Sequence, residues 1–383
     1  MMIKSLTATT REIDDIDAAV KEITSALNIG VNLLSNSLGI ISCFSEFAET
    51  GALKAICDVM PFDCIGATTI MCSAENETDQ VLLTITVLTS DECSFETIAL
   101  PVTEDYMNSI GTDLKNLLNR REEKPALLLS YFPMLTTVSG DMILTALDEA
   151  TSAMPLFGTM AIDHTTDYST ACTICNGEAY KDAVVLGLIY GTVDYSFEIA
   201  SLDDEKIGKQ EAIITESSGN ILISVNGKPA LEYLNEIGIT RNDLETGLGI
   251  LPLVVDYKDG TKPVARAVFA LTPDGHTVCG GAMPVGATLA AGRIVMDDVL
   301  QTTEKAIKEI AVKDGAILSY SCLARYLALG VNSEAEAEKV SELTESSHYM
   351  FAISGGEVCP LPDADGKLKN LFHNYTNVFC RIC

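Results

Sequence analysis

The sequence predicts an α/β protein of two domains, each a mixed β-sheet flanked by helices. Three observations carry this. Short apolar runs alternate with amphipathic stretches along the chain, the first half contains an internal duplication, and a charged, glycine-containing break follows it. A chain of 383 residues suits two domains at roughly 100–200 residues each.

The duplication is the most informative feature. Gly39 to Glu46 (GIISCFSE) reads as a buried strand running into a polar loop, Ala52 to Met60 as an amphipathic helix, and Pro61 leads to a second strand carrying Gly66, Ala67, Thr68 and Thr69. The same order returns at Ala126 to Phe132 (ALLLSYF), Met142 to Ala153, Pro155, and Gly158 to Ala161. Both copies continue through an apolar strand, Val81 to Leu88 or Ala183 to Ile189, into Ser94-Phe95-Glu96 or Ser196-Phe197-Glu198. Ordinary α/β alternation does not explain so long a shared order, and two copies are too few for a solenoid. A sandwich of two sheets between helix layers suits it.

Between the copies, Glu104 to Asn119 places Met107, Ile110, Leu114, Leu117 and Leu118 on one helical face, with Thr103 as a plausible N-cap. An N-terminal helix carries Ile13, Ile16, Val20, Ile23 and Leu27 in the same spacing. The domain boundary is placed in Ser201 to Gln210 (SLDDEKIGKQ), giving domains 1–205 and 206–383. The second half opens with a hairpin, Ala212 to Thr215 and Ile221 to Val225. Asn226-Gly227 then turns into a helix led by Pro229, Ala230 to Ile237. Strands follow at Ile250 to Asp256, Ala265 to Leu271 and His276 to Gly281, then a helix from Met296 to Ala311. Ala316 to Ser321 (AILSYS) resembles the first strand of each copy. Ser333 and Glu336 stand at capping-box spacing before a helix through Leu343, and a strand covers Met350 to Ile353. These segments read as a degenerate third copy.

Composition narrows the function. A formal net charge of −29 argues against nucleic acid, where affinity rests on Lys and Arg neutralising phosphates, and against an anionic membrane surface. Mean hydropathy is +0.23, yet apolar runs such as Gly249 to Val255 are far shorter than the ~20 residues of a spanning helix. Met1 to Asp15 is polar and has no apolar signal region, which predicts a cytoplasmic protein. The 12 cysteines are then most simply reduced thiols, many of them buried as small hydrophobes.

The chain resembles the FIST family along nearly its whole length. The first half is similar to the FIST N-terminal domain in GIISCFSE, PFDCIGATTI and PLFGTMAID. The second half is similar to the FIST C-terminal domain in NILISVNGKPALEYLNEIG, LPLVVDYKDGTKPVARAVFALTPDGHTVCGGAMPVGATL, AILSYSCLAR, FAISGGEV and FHNYTNVF. The resemblance implies a sensory module for small ligands, amino acids among them, that works in signal transduction; some relatives bind haem. The chain shows no kinase, cyclase, helix-turn-helix or F-box segment, so output is expected to pass to a separate signalling partner.

The same resemblance singles out Cys322, Arg325, Glu357, His373, Asn374 and Thr376. Arg325 can hold a carboxylate with two parallel hydrogen bonds, Glu357 can take an ammonium group, and Asn374 with Thr376 can orient the ligand. The alternative is an internal Arg325–Glu357 ion pair that supports the fold. Gly66, Thr68, Thr69, Gly158 and Thr159 are secondary candidates for a polar ledge, against the alternative that the glycines let backbone pack closely on a helix. No cofactor is expected. The pairs Cys172/Cys175 and Cys380/Cys383 stand on predicted strands, where positions three apart face opposite ways, which disfavours a zinc site. A haem would need an axial ligand from His164, His276, His348, His373 or a cysteine. P-loop, G-x-S-x-G, H-E-x-x-H and G-x-G-x-x-G signatures are absent. A thiol enzyme, with His373 as base to Cys322 or with the terminal Cys380/Cys383 pair, is the alternative to a receptor.

Overall fold

A computed structural model describes residues 3–103, 105–135, 138–165, 167–245, 251–310, 315–344 and 348–383. Glu104, Ile250 and Ala311, termini of predicted elements, and the side chain of Met107 lie outside the described residues.

One circuit is drawn three times. The first copy contains β1 (Lys4–Thr10), α1 (Ile16–Leu27), β2 (Asn36–Cys43), α2 (Ala52–Asp58), β3 (Asp63–Thr68), the hairpin β4 (Cys72–Ala74) and β5 (Glu77–Asp79), and β6 (Leu83–Ser90). The second contains β7 (Ser94–Pro101), α3 (Tyr106–Leu118), β8 (Leu127–Phe132), α4 (Gly140–Thr151), β9 (Leu156–Met160), β10 (Thr173–Cys175), β11 (Glu178–Tyr180) and β12 (Ala183–Tyr190). The third opens with β13 (Tyr195–Ala200) and is then interrupted. The interruption holds β14 (Ala212–Ser218), β15 (Ile221–Val225), β16 (Lys228–Pro229), α5 (Ala230–Glu236), β17 (Leu253–Asp256), β18 (Val264–Arg266), β19 (Val268–Leu271), β20 (Thr277–Cys279) and β21 (Thr288–Ala291). The third copy resumes with α6 (Met296–Ile310), β22 (Ala316–Cys322), α7 (Leu323–Leu329), α8 (Ala335–Leu343), β23 (His348–Ser354), β24 (Glu357–Pro362), β25 (Leu368–His373) and β26 (Asn377–Ile382).

In each copy the strands flanking the crossover helix are parallel: β2 with β3, β8 with β9, β22 with β23. The return strand runs antiparallel to the first of these, and the opening strand lies beyond it. The hairpin leaves its own sheet. β4 pairs with β23, β10 with β3 and β24 with β9. Each hairpin thus covers an edge that would otherwise be unpaired, and the three six-stranded sheets close a ring in which every sheet is built from two copies.

The sheets share one core. Ile40, Ile65, Leu129, Phe157, Leu318 and Ala352 meet there, and Tyr131 and Tyr320 bring their hydroxyls within 3.1 Å. Helices cover the outer faces: α1 and α2 the first sheet, α3 and α4 the second, α6 and α8 the third. Burial on both faces is why strands such as Ala183–Tyr190 are continuously apolar rather than alternating. Sheets do lie between the core and outer helix layers, but three of them surround the core rather than the two expected from the duplication, because the third copy adds a sheet. The third copy retains the whole circuit.

Two sequence signals read differently in three dimensions. The polar N-terminus contains β1, whose Thr7, Thr9 and Thr10 suit a pleated edge. The run Ala265 to Leu271 is broken at Ala267, whose N–H leaves the sheet to reach Asn374 Oδ1 at 3.3 Å.

The inserted strands β14 to β21 form an eight-stranded sheet of their own. It is anchored through Arg266, fully buried, which donates to Asp141 at the start of α4, to Tyr257 and to the Phe372 carbonyl. No helix among the described residues is long and apolar enough to cross a membrane.

Candidate functional site

The C-terminal ends of β22 and β23 carry the polar residues. Extended backbone at Cys322 passes directly into α7, so Ser321, Cys322 and Arg325 are delivered together at the strand–helix junction. β24 begins immediately after β23 and crosses to β9, which brings Glu357 opposite His373 on one side and Thr159 on the other. Tyr375, buried and at φ 59°, makes the tight turn between β25 and β26. That left-handed residue sets the Thr376 carbonyl 2.9 Å from the Cys322 N–H and the Thr376 hydroxyl 2.7 Å from Glu357 Oε2.

Arg325 is fully buried, and its partner is Glu336 rather than Glu357, which corrects the internal pair considered from sequence. Its Nε and Nη2 donate to Glu336 Oε1 at 3.0 and 2.7 Å. Nη2 also faces Thr303 Oγ1 at 2.7 Å and the Val299 carbonyl at 3.0 Å on α6. Glu336 in turn accepts from Ser321 at 2.6 Å, from Asn377 at 3.1 Å and from Thr303. Burial raises the Glu336 carboxyl, but the Arg325 charge and these hydrogen bonds outweigh it, and the group sits below the ordinary Glu range, ionised. The Glu336 side chain is committed to Arg325 and not to a capping box; α8 begins at Ala335 with Glu334 as its N-cap.

One nitrogen of this guanidinium is left over. Arg325 Nη1 is buried and has no hydrogen-bond partner among the described residues. Glu357 Oε1 is in the same condition. Ser354 stands beside the carboxylate, but its hydroxyl donates to the Gly356 carbonyl at 2.7 Å and accepts from Thr159 Oγ1 at 2.7 Å. Burial drives the Glu357 carboxyl well above the usual range; the hydrogen bond from Thr376, the nearby Ser354 hydroxyl and the field of Arg325 offset this only in part.

Cys322 lies between Arg325 and Glu357. Burial pushes its thiol well up, and an ionised Glu357 would push it further; the N–H groups of Ala324 and Tyr375 and the Arg325 charge pull the other way. A thiol held protonated and buried is a poor nucleophile. His373 is not its base: Nε2 faces the Cys359 carbonyl at 2.9 Å, and burial lowers the imidazole to about 4, so the ring is neutral. Asn374 is also turned elsewhere, bonding its own neighbour's carbonyl at 2.9 Å and the Ala267 N–H of the inserted sheet.

Of the six residues singled out from sequence, Cys322, Arg325, Glu357 and Thr376 converge, while His373 and Asn374 brace the backbone behind them. Sequence reasoning missed Glu336, Thr303, Ser354 and Asn377. The rule that ligands gather at the carboxyl ends of parallel strands points to this location, but which side chain turns toward Arg325 depends on how α6 and α8 pack. Among the secondary candidates, Thr159 joins the site through Ser354. Thr68 bonds the Cys172 backbone, and Thr69 bonds the Ile353 carbonyl at 2.7 Å. Gly66 and Gly158 occupy matching positions opposite Ile41 and Ser130. A Cβ there would meet the Ile41 or Ser130 carbonyl oxygen at 2.0 or 1.7 Å, so the close approach is to the neighbouring strand and not to a helix.

All 12 cysteines are thiols rather than disulfides, and the described residues hold no group of three or more His, Cys, Asp or Glu placed for a metal ion. Cys172 is buried and Cys175 partly exposed; Cys380 is buried, and Cys383 accepts from Arg381 Nη1 at 2.8 Å.

No curated protein matches the sequence significantly. Two family models do: the FIST N domain over residues 37–228 and the FIST C domain over residues 230–360. Together they span most of the chain, including both arms of the Arg325–Glu357 site, and the chain belongs to the FIST family, whose domains are sensory modules for small ligands in signalling.

Proposed function

We propose that the chain is a receptor for a small zwitterion of the amino-acid type, held between Arg325 Nη1 and Glu357 Oε1. The observation that carries this is the pair of orphaned atoms, one a cationic donor and one a carboxyl acceptor, both buried at the end of the same strand pair. Leaving a buried polar atom unpaired costs about 1–3 kcal/mol, and more for a charged group. A molecule carrying a carboxylate and an ammonium group satisfies both at once, with Thr376 and Cys322 alongside.

Charge and sequence support a cytoplasmic location, without nucleic acid or membrane as partner. The signal passes to a separate protein when the ligand shifts a two-state equilibrium. The inserted sheet is the element in contact with the site's backbone, because Asn374 and Tyr375 bond or pack against its Ala265–Ala267 segment.

The test is a thermal-shift screen of the twenty amino acids at millimolar concentration. A ligand at a hundred times its dissociation constant stabilises by about 2.7 kcal/mol. Stabilisation by at least one amino acid that is lost in Arg325→Lys supports the site; no shift with any of the twenty removes it.

A further inference from the structure

We infer that ligand uptake at this site is coupled to the release of one proton from Glu357. This rests on the zwitterion site proposed above and concerns how that site is regulated.

Groups from several elements face the Glu357 carboxyl. From its own strand there is Cys359, from β25 the neutral His373, from the β25–β26 turn the Thr376 hydroxyl, from β22 and α7 the Cys322 thiol and Arg325, and from β9 Thr159 acting through Ser354. Arg325 is the one cation in this set, and it is closed in an ion pair with Glu336. No salt bridge to Glu357 exists among the described residues, and Glu357 is fully buried. An ionised carboxylate there would carry one hydrogen bond on Oε2 and none on Oε1. Such a group in a low-dielectric site takes up a proton instead.

Glu336 is the internal control. It is equally buried but has a guanidinium, two hydroxyls and an amide around it, and it is ionised. Two carboxyl groups flank Arg325, then, and they hold opposite protonation states because one is supplied with a cation and the other is not.

A ligand ammonium at Oε1 supplies the missing cation. The protonated carboxyl gives its proton to solvent, the ligand keeps all three of its own, and the pair forms as carboxylate and ammonium. Written out, neutral carboxyl plus zwitterion becomes a carboxylate–ammonium contact plus one free proton. Below the pKa of the ligand-free carboxyl, affinity then rises tenfold per pH unit.

Two measurements test this. Infrared difference spectra of ligand-free wild type against Glu357→Gln at pH 7 should show a protonated-carboxyl band that the variant lacks. Its absence overturns the inference without touching the zwitterion site. Calorimetric titration with the amino acid giving the largest thermal shift, run in phosphate and in Tris, should give binding heats that differ by the difference between the two buffers' ionisation heats, for one proton per molecule bound. Binding with no buffer dependence also overturns proton coupling and leaves the ligand site standing. Absence of binding by all twenty amino acids defeats the site and the coupling together.

Discussion

Arg325 Nη2 stands 2.7 Å from Glu336 Oε1, and neither side chain is more than 1% exposed. Coulomb attraction in such an interior is set against the cost of taking both charges out of water, so the pair contributes less as a unit than its breakage removes. Its geometric consequence matters more. Two nitrogens are tied to α8 and α6, which leaves Nη1 as the prong without a partner among the described residues and fixes where it points.

Replacing Glu336 with Gln should therefore cost about 3–5 kcal/mol, the range for a buried charge left without its partner. Urea unfolding of the variant measures this. Arg325→Lys keeps the charge but cannot span Glu336 and a ligand, and the loss of one charge-assisted bond, about 1.5–3 kcal/mol, should lower amino-acid affinity about ten- to a hundredfold. Reduced stability with unchanged affinity in that variant would reject Arg325 as a ligand contact.

His373 bears on stability through pH. Its pKa is lowered in the folded protein from 6.5 to about 4, so it contributes stability that is present above the unfolded value and lost as pH falls through that window. A shift of one unit corresponds to about 1.4 kcal/mol, which makes the total about 3 kcal/mol. The stability difference between wild type and His373→Gln should narrow by that amount between pH 6.5 and 4. A difference that stays constant across the range would mean that the imidazole is not held neutral.

The matched glycines of the first two copies give a packing test. Gly158→Ala and Gly66→Ala drive a methyl into a carbonyl oxygen of the adjacent parallel strand, and strands paired on both sides move little, so about 1–3 kcal/mol should be lost at each. Gly111, inside α3 with nothing within 4 Å of where an alanine methyl would sit, behaves oppositely. There Ala should add roughly 0.5–1 kcal/mol by restricting the unfolded chain and favouring helix. Thermal or urea denaturation of the three variants distinguishes the cases, and a Gly158→Ala protein as stable as wild type would refute the close approach.

Much of this fold was legible because its cues are local. The strand Gly39 to Cys43, its helix, Pro61 and Gly66 repeat as Leu127 to Phe132, α4, Pro155 and Gly158, and proline and glycine mark the same backbone turns in both. The third copy was hard to see because β14 to β21 separate β13 from α6, and because its crossover carries two helices. The hairpin exchange was not legible at all: that β4 pairs with β23, about 280 residues away, depends on packing and leaves no local period. The site divides along the same line. Cys322 and Arg325 follow from one strand end, and Thr376 from a turn, whereas Glu336 came in from α8 disguised as a capping residue.

Glu357 and His373 face each other across β24 and β25 and push stability in opposite directions as pH changes. A carboxyl whose folded pKa is raised adds most below its unfolded value, about 4.3, and loses about 1.4 kcal/mol per pH unit above it until the folded group ionises. His373 gains stability at nearly the same rate from about 4 to 6.5. In wild type the two slopes oppose each other wherever both groups titrate. Glu357→Gln removes the falling limb, because glutamine does not titrate and fits the same space, so this variant should grow more stable relative to wild type as pH rises above about 4.5. His373→Gln removes the rising limb and should expose a decline over the same range. Urea unfolding of both variants at half-unit steps gives the two slopes directly. Parallel pH profiles for Glu357→Gln and wild type would show that Glu357 is already ionised in the free protein and that its burial is compensated by a partner.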